Sequence, residues 1–248
     1  MANFLSTTVK IPITGASQHT GAYAADDLFF DWVEFEIPSG GARLMAVSGY
    51  VKSTLDAGQT IEHDDFSLLF SNNATAGSIA AENAIAGYEK FPNDIIGSME
   101  VTSGDYIGHT TNGRMYTYFT ADAHTKALAF NSNVNVSSTT GYDKFYVAGI
   151  ANDTIDFTSD FQINDADIDA SSPGTALVLS GTSMDAAEHF RAGDVLVAHD
   201  NAAIGTIASV TDANNIVLTE SISTGVLEHN DYVYLKHPLV LTFHFELP

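Results

Sequence analysis

The sequence predicts an all-β protein: an antiparallel β-sandwich or jelly-roll-like domain with a small SH3-like β-barrel module inserted before its last strand. Three observations lead there. Short runs with period-two alternation recur along the 248 residues, separated by Gly, Asn and Ser turns. Helical patterns are few and short. The cleanest alternation is at 238–248, where Leu239, Leu241, Phe243, Phe245 and Leu247 share one face and Val240, Thr242, His244 and Glu246 the other. A strand with one apolar face must bury it, so this segment belongs to a sheet.

The strands follow in order. Residues 8–13 alternate Val9, Ile11 and Ile13; 31–37 turn Val33, Phe35 and Ile37 inward and Trp32, Glu34 and Glu36 outward. Pro38, Gly40 and Gly41 break the chain before 44–52, and 66–70 carries Phe66, Leu68 and Phe70 on one face. Further strands are expected at 95–101, 115–121, 127–136 and 144–150, then at 154–163, where Ile155, Phe157, Phe161 and Ile163 share a face. Two short helices are predicted. One is 80–86, with Ser78 as N-cap and Gly87 past its end; the other is 184–191, with Asp185 and Glu188 at capping-box spacing and Gly193 beyond.

Composition shifts near Asn164, and 165–174 is acidic and turn-like. Short strand candidates then crowd 175–180, 194–198, 203–210, 215–220 and 231–235, a meander the size of a small barrel. The expected boundaries are 1–164 plus 238–248 for the sandwich and 165–237 for the inserted module. A serial layout, in which a second domain begins near 165 and keeps the final strand, fits the same pattern. The length and aromatic content of 239–247 match 154–163 and favour insertion, with the two segments pairing side by side.

Composition narrows the function. Apolar residues make up 45% of the chain, enough for a real core. Only 9 Lys and Arg stand against 31 Asp and Glu, a formal net charge of −22. Such a chain lacks the basic footprint that nucleic acid requires, and an anionic membrane repels it. With no cysteine there are neither disulfides nor thiolate metal sites. The segment 1–10 lacks the charged and apolar regions of a Sec signal, and no apolar run approaches a membrane-spanning length. The expectation is a protein made in the cytoplasm that stays soluble.

Motifs for chemistry are sparse. Asp165, Asp167 and Asp169 have the alternating spacing that begins many Ca²⁺ loops, but Ala170 stands where an EF-hand needs Gly and Ala176 where it needs Glu. An acidic surface linker is the plainer reading, so no cofactor is expected beyond this weak Ca²⁺ candidate. None of the nine histidines has a metal-ligand spacing. Residues 15–21 (Gly-Ala-Ser-Gln-His-Thr-Gly) are not the Gly-x-Ser-x-Gly elbow, and no phosphate-binding loop is present. Glu34 and Glu36 lie on one strand face, as glycosidase acids can, but among 31 acids such pairs arise by chance. No catalysis is predicted.

Aromatic groups are better candidates for contact. The runs 28–32 and 114–118 place rings on both faces of their strands, so each is either covered on both sides or presents one face to a partner. Core packing and a subunit interface both remain open for them. The interface candidates are Phe29, Trp32, Tyr116 and Tyr118, together with His244 as a pH-sensitive contact beside Thr242 and Glu246.

The chain resembles structural proteins of tailed bacteriophages, marine phages especially. The text that carries this is 65–73 (Asp-Phe-Ser-Leu-Leu-Phe-Ser-Asn-Asn), Asn83, 93–97 (Asn-Asp-Ile-Ile-Gly) and 142–151 (Tyr-Asp-Lys-Phe-Tyr-Val-Ala-Gly-Ile-Ala), with 192–197 and 204–210 similar to small β-modules of such proteins. It is a resemblance of style over most of the chain, without a diagnostic motif. It implies a capsid decoration or cement protein on the virion surface. Its partners would be the major capsid protein and further copies of itself, a trimer first among homo-oligomers. The runner-up is a tail-associated or receptor-binding adhesin for host glycans, and a carbohydrate-active β-sandwich enzyme is a third class.

Overall fold

The computed structural model describes residues 3–52, 54, 64–73, 95–107, 116–122, 128–131, 141–164, 174–180, 185–223 and 226–248. Along the chain run β1 (Asn3–Ile11), α1 (Gly15–Thr20), β2 (Leu28–Pro38), β3 (Ala42–Lys52), β4 (Phe66–Ser71) and β5 (Ile95–Val101). After a single 3-10 turn (Ser103–Asp105) come β6 (Tyr116–Asp122), β7 (Leu128–Phe130), β8 (Tyr142–Ala151), β9 (Gln162–Ile163) and β10 (Ala176–Ser180). The chain ends with α2 (Ala186–His189), β11 (Val195–Val197), β12 (Ala203–Val210), β13 (Asn215–Leu218), β14 (Tyr234–Leu235) and β15 (Leu239–Leu247). The protein is all-β, as predicted.

Two antiparallel sheets make the sandwich. One has the order β1-β15-β3-β6, with β7 also paired to β3; the other is β2-β8-β4-β5. Their inner faces meet over a phenylalanine cluster. The Phe35 ring lies 4.8 Å from Phe243, and Phe130 lies 5.0 Å from Phe145 and 5.6 Å from Phe70. Several of these pairs are near-perpendicular, the edge-to-face arrangement that the ring quadrupole favours. Leu241, Phe243 and Phe245 of β15 are fully buried, so the alternation in the final strand corresponds to a real inner face.

A bulged β2 explains an unexpected burial. Its register against β8 shifts between Leu28 and Phe30 and again between Phe30 and Val33. A bulge resets which side chains face inward, and Phe29 and Phe30 are both wholly buried. Opposite them, a Cβ on Gly149 would come within 2.1 Å of the Phe30 ring, so this strand crossing needs glycine.

The third sheet runs β14-β11-β12-β13-β10-β9 around its own apolar cluster, which includes Phe161, Leu179, Phe190, Leu196, Ile207 and Val233. Its two ends meet. Ile163 N–H donates to Asp231 O at 2.9 Å, Asn230 N–H to Ile163 O at 2.9 Å and Val233 N–H to Phe161 O at 3.0 Å, so β9 closes the sheet against the segment leading into β14. The sheet has β9 as a member in addition to the five strands expected from 175 onward.

The expected pairing of 239–247 with 155–163 is not what forms. β15 lies between β1 and β3, with Thr242 opposite Thr8 on one side and Ser48 on the other. Residues 154–163 are not one strand either: only Gln162–Ile163 is. Ile155 and Phe157 pack in the sandwich core, whereas Phe161 and Ile163 pack in the smaller one. The segment is thus the crossing between two cores. Local bonds break its ladder: Thr158 N–H donates to Asp156 Oδ1 at 2.8 Å and Phe161 N–H to Ser159 Oγ at 3.2 Å.

Of the two predicted helices, 184–191 forms as the shorter α2, with the Asp185 side chain accepting from Ala187 N–H. The helix expected at 80–86 lies outside the described residues. α1 was not anticipated. Thr14 caps it by accepting from Ser17 N–H, and Gly21 follows at φ 117°.

Candidate functional site

β1 forms one side of its sheet, with β15 as its strand partner. Its inner residues Val9 and Ile11 are buried, while Phe4 near its start is 72% exposed. Among the described residues β1 has a strand partner on one side only, and an edge of this kind with an exposed aromatic on its strand is a template for strand addition.

On the outer face of the same sheet, alternation places His244, Thr242, Ser48, Thr120 and Tyr118 side by side. His244 Nδ1 lies 2.9 Å from Ser6 Oγ and its Nε2 lies 2.7 Å from Ser48 Oγ, so hydroxyls from both neighbouring strands hold the ring. Thr8 and Thr242 share a hydroxyl contact at 3.0 Å. Tyr118 is 46% exposed and its ring sits 5.8 Å from Tyr50. This is a hydroxyl-rich surface with an aromatic end. Tyr116 lies on the same strand as Tyr118, paired to Lys52.

The other candidates separate from that face. Phe29 is core and offers no surface: it packs 4.9 Å from Phe30, 5.6 Å from Phe66 and 6.2 Å from Tyr23. The burial follows from the β2 bulge, which alternation alone does not reveal. Trp32 lies on the outer side of the second sheet, half-buried against Leu28, Ala148 and Ile150. Asp165, Asp167 and Asp169 lie outside the described residues. Among the described residues no cluster of three or more His, Asp or Glu side chains is placed to hold a metal ion, and no helix is long and apolar enough to cross a membrane.

Glu34 and Glu36 do lie together, but Glu34 is tied down. Lys144 Nζ donates to Glu34 Oε1 at 2.7 Å and Tyr146 Oη to Oε2 at 3.4 Å. The Glu34 hydrogen bond raises the Lys144 ammonium pKa above its ordinary value.

A second polar site sits where the small sheet meets the sandwich. The Lys52 ammonium pairs with Asp194 Oδ1, and the other Asp194 oxygen accepts from Arg191 N–H at 2.9 Å. Lys10, Tyr50, Gly193 and His237 line the cleft beside this pair. Burial holds His237 below the usual imidazole pKa, and the positive charges of Lys236, Lys10 and Lys52 push it the same way. On the α1 side, Gln18 Nε2 donates to Ile13 O at 3.0 Å and to Leu235 O at 2.9 Å, tying α1 to β14. Nearby, His19 Nδ1 lies 2.7 Å from Tyr234 Oη, a hydroxyl whose pKa burial drives well above the usual phenol value. None of these long-range pairings leaves a local sequence signal; the scarcity of lysine was the one available hint.

No family model and no curated protein matches this chain. Among solved structures, it is similar to the infectious bursal disease virus VP2 subviral particle at 8% identity and a TM-score of 0.20, over 99% of this chain and 41% of that one. It is also similar to a crystallised protein of Parabacteroides distasonis at 9% identity and a TM-score of 0.19, over 100% of this chain and 83% of that one. The chain thus spans under half the length of the VP2 chain, and likeness at these TM-scores carries no argument about function.

Proposed function

We propose that this chain is a non-enzymatic structural protein of a bacteriophage virion, a capsid decoration or cement protein. It binds the assembled shell as a homo-oligomer, a trimer first, with the major capsid protein as partner. The observation that carries the reading is the edge of β1 with Phe4 72% exposed beside it. Strand addition there joins copies by main-chain hydrogen bonds and buries Phe4, with no chemistry required. Repeated sites on a shell add avidity to a modest single contact. The acidic, cysteine-free composition and the phage-like style of 65–73 and 142–151 agree with it.

Two measurements test it. Analytical ultracentrifugation should show an oligomer for the wild type and a shift toward monomer for Phe4→Asp. Quantitative mass spectrometry of the particle that carries the protein should find hundreds of copies. A handful per particle, with wild type and Phe4→Asp both monomeric, would remove the decoration reading.

The exposed Tyr118 ring beside Tyr50 favours one second reading, a tail-associated adhesin stacking on host glycans. Glycan-array binding that Tyr118→Ala abolishes would move the assignment there.

A further inference from the structure

The cleft between the small sheet and the sandwich collects positive charge in a chain that has very little. Lys10, Lys52 and Lys236 all act on His237 there, and the remaining lysines of the sequence are Lys90, Lys126 and Lys144. Three of the six lysines therefore act on one imidazole of a molecule with a formal charge of −22, and two of them, Lys10 and Lys52, line the cleft itself. Asp194 neutralises only one of them. Both its carboxylate oxygens are already engaged, one by Lys52 and one by Arg191 N–H. Lys10 lines the cleft, and among the described residues its ammonium makes no hydrogen bond or ion pair.

Like charges gathered at one site repel one another. The cleft has a volume of about 30 Å³ and is walled by Lys10, Tyr50, Lys52, Gly193, Asp194 and His237. That space suits one water or one monatomic ion. Water would leave the excess charge in place; an anion would offset it.

We propose that this cleft is a binding site for a single halide-sized anion, held by the Lys10 and Lys52 ammonium groups between the sandwich and the small sheet. Lys10 and Lys52 come from β1 and β3, while Asp194 and His237 flank the small sheet. The anion therefore bridges the two and stabilises their junction. The inference stands apart from the virion reading, since it concerns the joint within one chain.

The test is thermal unfolding of the full chain at constant pH and ionic strength, with chloride replacing bulky methanesulfonate. A ligand that binds only the folded state raises the unfolding temperature as its concentration exceeds its dissociation constant. The wild type should gain roughly 2–4 °C in chloride, the shift expected in a chain of this size when chloride stands at about four times its dissociation constant. Lys10→Gln, a change at an exposed position outside both cores, should lose most of that gain. Lys144→Gln, on the opposite sheet, should keep it. Crystals soaked in bromide should show an anomalous peak in the cleft for the wild type and none for Lys10→Gln. An equal chloride gain in wild type and Lys10→Gln overturns the proposal, as does a wild type indifferent to chloride or a cleft holding only water.

Discussion

Lys52, the last residue of β3, is ion-paired with Asp194, the residue just before β11, and the two side chains are only 8% and 12% exposed. Taking two charges out of water is costly, and the attraction between them repays it only while both are present. Removing one partner strands the other. Lys52→Met should therefore destabilise the protein by about 3 kcal/mol, the range for breaking a buried pair. Lys52→Met combined with Asp194→Leu should recover much of the loss, because the stranded charge is gone. Denaturant titration of both single variants and the double variant measures this. A double variant no better than the sum of the singles would show that the two side chains contribute independently of each other.

His237 predicts a pH dependence. Its folded pKa is held below the ordinary value of 6.5 by burial and by Lys236, Lys10 and Lys52. Between 6.5 and that lower value the unfolded chain binds a proton that the folded chain refuses. The stabilisation is complete above pH 6.5 and is lost as pH falls toward the folded value. Thermal unfolding of the wild type should thus fall faster between pH 7 and pH 5.5 than that of His237→Gln at fixed chloride. Parallel curves would assign the acid sensitivity to other groups.

Alternation made faces legible but not partners. The inner and outer faces of β15 follow the period of the sequence, so the position of His244 on a polar face could be read from it. Which strand lies beside β15 could not, because pairing depends on which edges remain free after distant segments have folded. The 154–163 run looks like one strand because period two is a local property; nothing in it records that Ile155 and Phe161 enter different cores. The choice between core and interface for Phe29 could not be made from the pattern, because the β2 bulge changes parity mid-strand. α1 is too short for helical periodicity to register, leaving Thr14 and Gly21 as its signals. The pairing of Lys52 with Asp194 spans 142 residues and has no local signature at all.

The aromatic cluster should be the most sensitive part of the sandwich. Phe243 is fully buried, 4.8 Å from Phe35 and 5.6 Å from Phe70, and its strand is held on both sides by β1 and β3. Phe243→Ala removes a ring and leaves a cavity that neighbours in two sheets cannot fill, a loss of about 3–5 kcal/mol. Tyr118→Ala on the outer face should cost under about 1 kcal/mol, as surface changes usually do. Chemical denaturation of the two variants side by side decides it, and a comparable cost at both positions would contradict the assigned faces.

Gly15 gives the sharpest test of how α1 meets the small sheet. A Cβ there would stand 2.0 Å from the Ala198 carbonyl oxygen and 3.4 Å from Val197 Cγ2. The nearest atom is backbone, so no side chain can swing away to relieve the overlap. Alanine is intrinsically the better helix former by about 1 kcal/mol, and on helix propensity alone Gly15→Ala would stabilise α1. Steric overlap should win, since forcing extra atoms into a closed contact costs typically 1–3 kcal/mol. The strain should be felt first at the bonds from Gln18 to Ile13 O and Leu235 O. Hydrogen exchange should then speed up around residues 195–198 and 233–236 while β2 and β8 stay protected. Faster exchange across the whole chain would mean that the junction and the sandwich open together; unchanged exchange at the junction would rule out the close approach of Gly15 to Ala198.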